Sequence, residues 1–527
     1  MKSFSHIFPV LLMLSLSSQA FSAPKDSKQL PRLVLGIHLD QLQEEYLQWF
    51  MDGFGEEGFK LLLKQGKVYD NCNYELSQPD AANTSASLLS GCPPMYHGII
   101  AGEWFNRELE RLLSCVYDKN YLGNYTTSSF SPLNLRSSTV GDELKKASNG
   151  RSKVFSLGLE PEAPILAGGR SADAAIWMDD QSGNWCSSTY YNYMPVWLQQ
   201  VNDYGLFEAK AAESSWKPKF PLSRYVYMPH QKNPNFFNYA LSVIDKAGYE
   251  DFKQTPMANT ELNQLAIELI DREKLGQDEY PDLLMLHFNT GSQLSGNDSR
   301  AAFEMQDLYF RLDEDLAWLL KDIDRRIGLD NSLIYLCGSG TEKIDIEADE
   351  KAPGFYGNFY PERSAALLNL YLTAIYGSER WVQGCSETEI YLNRKRINEL
   401  NLDYQEICNN SALFLTQVEG IQQVVPAYQL LLGDQSRQPA FGLNFYKERS
   451  GDLLLRLENG RNIRWESFPG KNRQIQYAGH STLLLFYGAG IKASSNSQAV
   501  SIFDLAPTLS RILYIRPPTS STGKTLF

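Results

Sequence analysis

Long hydrophobic runs, basic clusters and cysteine–histidine metal motifs are all missing from this 527-residue chain. Beyond its N-terminal region no segment reaches about 18 uninterrupted apolar residues, so a transmembrane span is not expected. No stripe of Lys and Arg offsets the formal net charge of −13, which argues against nucleic acid and anionic lipid as partners. No C-x-x-C or Cys/His spacing indicates a zinc knuckle. These absences favour a soluble globular protein.

Cysteines are few, and their number, seven, is odd. An exported chain can form disulfides, but an odd count leaves at least one thiol free or paired outside the chain. Cys337 lies in the apolar run SLIYLC and is expected to be a buried thiol. Cys385 and Cys408 are close in sequence, and a bridge between them is the pairing that we expect.

The first 20 residues predict an export signal. Lys2 precedes an apolar stretch from Ile7 to Leu16, and small residues follow it up to Ala20. The apolar stretch is too short to span a bilayer, and no Cys follows it to carry a lipid anchor. We therefore expect a cleaved signal peptide over residues 1–20 and a periplasmic or secreted mature chain over residues 21–527.

Short apolar runs alternate with amphipathic stretches along the mature chain. Runs such as LVLGIHLD, PDLLMLHFN and NSLIYLCGSG end in small or polar residues, and stretches of helical spacing separate them. This pattern predicts an α/β fold with a mostly parallel sheet flanked by helices. Functional groups in such folds lie at the carboxyl ends of strands, as Asp40 does. Insertions at about 173–260 and about 377–476 interrupt the alternation and predict inserted cap lobes.

The ends of two helices can be predicted from glycine and capping residues in the sequence. LQEEYLQWFMDGFGEEGFKLLLKQG has helical spacing and ends at Gly66. QPDAANTSASLLSG predicts a helix that ends at Gly91 and is capped at its start by Asp80 and Asn83. A helix start offers free backbone N–H groups to an anion or a nucleophile, yet Ala81 there carries no reactive atom.

Four stretches carry a family resemblance: LVLGIHLDQ, SLLSGCPPMYHGIIAGEWF, ILAGGRSADAAIWMDDQSGNW and KAPGFYGNFYPERSAALLNLYLTAIYG. With IYLNRKRI, LLLFYGAGI, DLAPTLSRIL and the closing STGKTL, they resemble the monomeric, phosphate-irrepressible periplasmic alkaline phosphatases. That group belongs to the alkaline phosphatase superfamily, together with the nucleotide pyrophosphatases and sulfatases. The resemblance implies an alkaline-phosphatase-like core and phosphate-monoester hydrolysis at two zinc ions. In that chemistry a threonine attacks phosphorus, while an Asn, a Lys and an Arg hold the phosphoryl oxygens.

The positions that the resemblance places in the active site carry other residues in this chain. The nucleophile position is Ala81, and the three phosphate-binding positions are Gly102, Glu160 and Glu162. Of the zinc-ligand positions, Asp40 keeps its residue. The lost ligand positions are Ser292, Gly296, Ser339, Gly340 and Ser481, with His480 one residue from the last. A catalytic zinc ion needs about three protein ligands, so no cofactor is expected.

These changes make the site roughly six charge units more negative than the family's. One Glu that faces a phosphate oxygen at about 5 Å costs roughly 3 kcal/mol at an effective dielectric near 20. A ligand of this site is therefore expected to be neutral or cationic. The sequence favours a pseudoenzyme of the cell envelope that binds another envelope protein or a neutral polymer.

An enzyme is the alternative: a divergent metal-dependent phosphatase or phosphodiesterase with a rebuilt site. Thr84 or Ser85 would replace the nucleophile, or His38, Asp40 and His480 would form a new centre. The first two members of that centre share one face of a strand, because they are two residues apart. Three histidines are expected to be structural instead: His38, His97 and His287.

Overall fold

The computed structural model describes residues 30–42, 44–191, 194–204, 215–226, 236–240, 249–291, 301–339, 357–431, 439–467, 472–474 and 481–527. The predicted signal peptide lies outside these ranges, as do parts of both predicted insertions. Within the ranges, no helix combines the length and the apolar character that crossing a membrane requires.

The strands are β1 (Leu33–Asp40), β2 (Lys67–Asn73), β3 (Glu103–Asn106), β4 (Arg111–Ser114), β5 (Gly123–Asn124), β6 (Val154–Gly158), β7 (Ala174–Met178), β8 (Trp185–Ser188), β9 (Ser215–Trp216), β10 (Tyr239–Ala240), β11 (Asp282–Asn289), β12 (Ser332–Ser339), β13 (Asn358–Phe359), β14 (Val382–Cys385), β15 (Glu389–Leu392), β16 (Ile421–Pro426), β17 (Leu453–Leu457), β18 (Asn462–Arg464), β19 (Asn472–Gln474), β20 (Ser481–Gly488), β21 (Ser494–Asn496) and β22 (Val500–Ser501). The helices are α1 (Glu44–Trp49), α2 (Phe59–Gln65), α3 (Ala81–Ser90), α4 (Pro94–His97), α5 (Val140–Ala147), α6 (Glu162–Gly168), α7 (Val196–Tyr204), α8 (Glu250–Lys253), α9 (Pro256–Glu273), α10 (Ala301–Arg326), α11 (Pro361–Tyr376), α12 (Arg394–Glu399), α13 (Tyr404–Leu415), α14 (Ala427–Leu431), α15 (Pro439–Gly442) and α16 (Leu505–Ile512).

A central sheet of eleven strands organises the molecule. Its middle five strands run parallel in the order β12-β1-β11-β6-β7. Strand β20 pairs antiparallel with β12 at one side of this group, and β8 pairs antiparallel with β7 at the other. The predicted α/β fold with a mostly parallel sheet flanked by helices is confirmed.

Both faces of the parallel strands are buried, because helices cover the sheet on each side. Leu35 and Ile37 of β1 pack in one core with α9 and α10, whereas Val34 packs in a second core with α3 and α16. A strand that is buried on both faces carries apolar residues at successive positions rather than at alternate ones. The unbroken apolar run LVLG in the sequence is therefore the signature of a central strand.

The single helix predicted to end at Gly66 is two helices, α1 and α2, separated by a turn. The buried Asp313 carboxylate of α10 accepts hydrogen bonds from the backbone N–H of Gly55 at 2.6 Å and of Phe59 at 2.7 Å. A side chain at Gly58 would overlap this carboxylate, so the close approach requires glycine. The prediction of one helix is wrong here because a distant carboxylate binds N–H groups at the turn.

Residues 357–431 and 439–467 contain a third hydrophobic core beside the central sheet. A four-stranded sheet in the order β14-β15-β17-β16 packs with α11 and α13 around it. Strand β7, which falls inside the first predicted insertion, pairs instead with β6 in the central sheet. The two insertion boundaries given above stay predictions.

Asp452 connects this third core to the β3–β4 hairpin. Its fully buried carboxylate accepts hydrogen bonds from Arg107 in the hairpin at 2.7 Å and from Arg394 at 2.5 Å. The hydroxyl of Tyr404 and the backbone N–H of Leu392 donate to it at 2.7 Å and 2.6 Å. Four donors, two of them cationic, thus balance one buried charge.

All seven cysteines lie in described parts of the chain, and all are free thiols. The predicted bridge between Cys385 and Cys408 is therefore wrong. Burial raises the pKa of both thiols to about 12, so neither is a reactive thiolate at neutral pH. Cys337 is fully buried in β12, as predicted.

Candidate functional site

Polar side chains meet at the carboxyl ends of the five parallel strands. Asp40 ends β1, in register with Asn289 at the end of β11 and Ser339 at the end of β12. Glu160 follows β6 by two residues, and Asp180 follows β7 by two residues. Because the carboxyl ends of parallel strands share one edge of a sheet, these residues define a candidate site, which we call the strand-end cleft.

Helix α3 packs against α6 and β12, with its first turn fixed by Asp80. The Oδ1 atom of Asp80 accepts a hydrogen bond from the backbone N–H of Asn83 at 2.7 Å, and Asn83 Oδ1 accepts one from the backbone N–H of Asp80 at 3.0 Å. The helix ends at Gly91 in a left-handed conformation with φ of 67°. The predicted cap and end of this helix are therefore confirmed, and Asp80 has a structural role.

Asp80 also holds together two positions that the family resemblance places in the active site, Ala81 and Gly102. Its Oδ2 atom accepts a hydrogen bond at 2.8 Å from the backbone N–H of Gly102. Ala81 is the residue directly after Asp80 and begins α3. One carboxylate therefore holds the nucleophile position and the first phosphate-binding position close together, although neither residue has a functional side chain.

Thr84 and Ser85, the alternative nucleophiles, are fully buried in α3. The Thr84 hydroxyl donates a hydrogen bond to Asn83 Oδ1 at 3.4 Å, inside the capping network. A nucleophile must reach the substrate, and neither hydroxyl is exposed to it. The burial of both hydroxyls does not favour a displaced nucleophile, and that alternative stays a prediction.

The buried histidines are structural. His38 Nε2 lies 2.9 Å from the Tyr335 hydroxyl, and its ring centroid lies 4.4 Å from that of His287. His97 Nε2 lies 3.0 Å from the Ser87 hydroxyl. Burial lowers the pKa of His38 and of His97 to about 3, so both rings are neutral at neutral pH. A centre built on His38 is not supported, because the His38 imidazole is neutral and fully buried and cannot reach a substrate.

The predicted zinc-ligand positions fall partly inside the described ranges. Asp40, Ser339 and Ser481 lie inside them, and four positions lie outside: Ser292, Gly296, Gly340 and His480. Zinc ligands in proteins are Cys, His and carboxylate side chains rather than serine. In the part of the chain that the structure describes, no three His, Cys, Asp or Glu side chains converge as a metal site requires. The described residues therefore do not fit a two-zinc centre.

Lys253 is a cation at the cleft that the sequence did not single out. Its side chain is 1% exposed, and its ammonium donates to Glu160 at 3.1 Å and also to Asp180. Burial opposes the charge, but the two carboxylates outweigh it and raise the pKa of Lys253. This lysine lies on the four-residue helix α8, outside every family motif, so no sequence signal marked it.

Glu162 begins α6 at the cleft and is half-buried. The Ser114 hydroxyl donates a hydrogen bond to Glu162 Oε1 at 2.7 Å. Burial, together with the nearby charge of Glu160, raises the pKa of Glu162 to about 7, although Ser114 and Lys253 act in the opposite direction. A carboxyl group with this pKa can give up or take a proton near neutral pH, as a general acid or base must.

The raised pKa predicts a pH-dependent effect of Glu162→Gln on stability. Because the folded protein holds this proton more tightly than the unfolded chain, the stabilisation is complete below about pH 4.5 and is lost as pH rises through about 7. Glutamine mimics the protonated carboxyl at every pH. Thermal unfolding should therefore give equal Tm values for the variant and the wild type at pH 5. At pH 8.5 the variant should have the higher Tm, by about 2 °C.

Glu108→Gln is the matched control, because Glu108 is exposed and its side chain has no described partner. Its Tm difference from the wild type should not change between the two pH values. A Tm difference for Glu162→Gln that stays constant from pH 5 to pH 8.5 would contradict the raised pKa.

Comparisons with known proteins agree with the fold. Residues 34–339 match the model of the family described as type I phosphodiesterase / nucleotide pyrophosphatase. Alkaline phosphatase PafA of Elizabethkingia meningoseptica is 27% identical over 94% of this chain and 93% of its own length. Alkaline phosphatase PhoV of Synechococcus elongatus is 28% identical over 94% of this chain and 92% of its own. The solved structure of wild-type PafA has a TM-score of 0.83 at 25% identity and covers 94% of this chain and 98% of that one.

These comparisons contradict the prediction of a non-enzyme. Relatives that match this chain over nearly its whole length are named as alkaline phosphatases, and one of them has a solved structure of the same fold. They point to a phosphatase rather than to a pseudoenzyme. The chain belongs to the type I phosphodiesterase / nucleotide pyrophosphatase family, within the alkaline phosphatase superfamily.

Proposed function

We propose that the protein is a divergent hydrolase of this family, periplasmic or secreted, that cleaves esters less negatively charged than a phosphate monoester. The relatives named as phosphatases support hydrolysis as the reaction class. The observation that carries the proposal is the Glu162 carboxyl, which Ser114 holds at the strand-end cleft with a pKa of about 7.

The family's residues do not supply the chemistry in this proposal. Ala81 has no hydroxyl to attack with, and Gly102 has no side chain to bind an oxygen. Glu160 and Glu162 carry charges opposite to those that bind phosphate in the family. Since the described ligand positions do not fit two zinc ions, we propose that the two-zinc centre is not retained.

Glu162 acts as the proton donor in the proposed reaction. A water molecule attacks the ester centre directly, because Ala81 cannot form a covalent intermediate. As the bond to the leaving group breaks, the leaving oxygen takes the proton of Glu162. The attacking water loses a proton to solvent, and Glu162 regains one from solvent. The products are an alcohol and an acid.

The charges at the cleft set the substrate class. Glu160, Glu162, Asp180 and Asp40 are acidic, and the ammonium of Lys253 pairs with two of them. Each substrate charge about 5 Å from a carboxylate costs roughly 3 kcal/mol at an effective dielectric near 20. A phosphate monoester carries two charges, a diester carries one and a carboxylic ester carries none. The predicted partners, an envelope protein or a neutral polymer, stay predictions, and an ester-bearing neutral polymer fits this charge preference.

Turnover of three 4-nitrophenyl substrates by the full mature chain tests the charge preference. Bis(4-nitrophenyl) phosphate or 4-nitrophenyl acetate should give a kcat/KM at least about tenfold above that of 4-nitrophenyl phosphate, because one fewer charge lowers the electrostatic cost. Release of nitrophenolate measures all three rates. Glu108→Gln, which lies away from the cleft, should leave the three rates unchanged. Preference for the monoester, or no enzyme-dependent turnover of any of the three, would overturn the proposed function.

A further inference from the structure

Four charged residues at the strand-end cleft come from three separate segments of the chain. We call them the rim cluster: Glu160, Glu162, Asp180 and Lys253. Two carboxylates come from the loop after β6 and the start of α6, one follows β7, and the lysine comes from α8. The ammonium of Lys253 is almost completely enclosed, whereas the side chains of Glu160 and Asp180 are 53% and 44% exposed. The cation thus lies beneath the carboxylates and does not face substrate.

Hydrogen bonds connect helix α8 to the ends of two strands, on both sides of Lys253. The Asn289 side chain donates hydrogen bonds at 3.0 Å to the backbone carbonyl of Lys253 and to Gln254 Oε1. The backbone N–H of Tyr249 donates to the carbonyl of Asp180 at 2.8 Å. These contacts fix the backbone around Lys253 against two strand ends of the central sheet, and the ion pairs with Glu160 and Asp180 hold its ammonium.

We propose, on the basis of the proposed function, that Lys253 is a positioning residue for Glu162. Lys253 forms ion pairs with Glu160 and Asp180. Glu162 is then the carboxyl of the rim cluster that exchanges a proton. Lys253 makes no contact with the reacting ester in this arrangement. It acts on the reaction only through the charge that it places beneath the acid.

The charged groups around Glu162 determine the direction of the effect. Glu160 disfavours its ionisation, Lys253 favours it, and the neutral Ser114 hydroxyl favours it through a hydrogen bond. Burial raises the pKa of the Cys115 thiol, and the carboxylates of Glu162 and Asp80 raise it further, so Asp80 is a second carboxylate that acts on the same thiol. Removal of the Lys253 ammonium takes away a positive charge that favours ionisation of Glu162, so its proton should be retained to higher pH.

Titration of Glu162 by ¹³C NMR tests this role without a need for turnover. Glutamate side-chain carboxyls are labelled in the mature chain, and the Glu162 signal is assigned as the one missing from Glu162→Gln. In Lys253→Met the titration midpoint of Glu162 should rise by about one pH unit or more, and Lys253→Arg should restore it to near the wild-type value. The pH profile of kcat for an ester with an alkyl leaving group, which needs the proton of Glu162, should move in the same direction. An unmoved midpoint in folded Lys253→Met would overturn the proposal.

Asp180→Asn provides a second variant in case Lys253→Met does not fold. It removes one partner of the ammonium and leaves the lysine in place, so the positive charge acts more fully on the remaining carboxylates. The Glu162 midpoint should then fall, and a rise or no change would count against the proposal. The NMR result separates two failures: loss of all turnover with the expected midpoint shifts rejects the proposed function alone, whereas turnover without midpoint shifts rejects the role of Lys253 alone.

Discussion

Replacement of Glu162 by Gln is expected to lower kcat by about 10²- to 10⁴-fold for an ester with an alkyl leaving group. Glutamine preserves the size of the side chain and the oxygen that accepts the Ser114 hydrogen bond, but it has no acidic proton to transfer. The loss should be much smaller for a nitrophenyl ester, because nitrophenolate leaves without protonation. Rates for the two leaving groups, measured in parallel on both proteins, provide the comparison.

The dependence of the rate on pH should also differ between the wild type and Glu162→Gln. An acid must be protonated to act, so the wild-type rate for the alkyl ester should fall as pH rises through about 7, the pKa of Glu162. The residual activity of Glu162→Gln should lack this descending limb. Glu108→Gln should keep both the rate and the limb. A rate for the glutamine variant within twofold of the wild type would rule Glu162 out as the proton donor.

Asp452→Ala should produce a large loss of stability, about 3 kcal/mol, because it leaves two partly buried guanidinium groups without their carboxylate. Arg107 and Arg394 both pair with Asp452, whose side chain is fully buried. The hydrogen bonds from Tyr404 and from the backbone N–H of Leu392 are lost with it. Denaturant unfolding, followed by tryptophan fluorescence, measures the change in the free energy of unfolding.

Glu399→Gln is the matched control for this variant. Glu399 lies in the same part of the chain and pairs with Arg396 at 3.1 Å, but both side chains are solvent-accessible. Exposed ion pairs contribute about 1 kcal/mol or less, so the control should unfold almost like the wild type. Equal destabilisation by the two substitutions would show that the buried network around Asp452 contributes no more to the free energy of unfolding than an exposed ion pair does.

Features encoded by neighbouring residues could be predicted from the sequence. The strand that ends at Asp40 and the cap of α3 by Asp80 and Asn83 follow from runs of fewer than ten residues, and the structure contains both. The fold class followed from alternation of such runs. The family positions came from the resemblance, and the structure places Ala81, Gly102, Glu160 and Glu162 at the ends of elements around the cleft.

Features that depend on distant residues could not be predicted. The break between α1 and α2 is caused by Asp313, more than 250 positions away. Lys253 and Glu160 are 93 positions apart, and no spacing rule connects them. The pKa of Glu162 depends on burial, which the sequence does not report. The expected bridge between Cys385 and Cys408 relied on proximity in sequence, which does not imply proximity in space.

The seven free thiols affect how the chain matures. The folded state needs no covalent cross-link, so a reducing cytosol, which keeps every cysteine as a thiol, does not oppose it. In an oxidising compartment the unfolded chain can form mispaired bridges until burial encloses the thiols. Production in an ordinary cytosolic expression host, with reductant present throughout, should therefore yield native protein for all the measurements above.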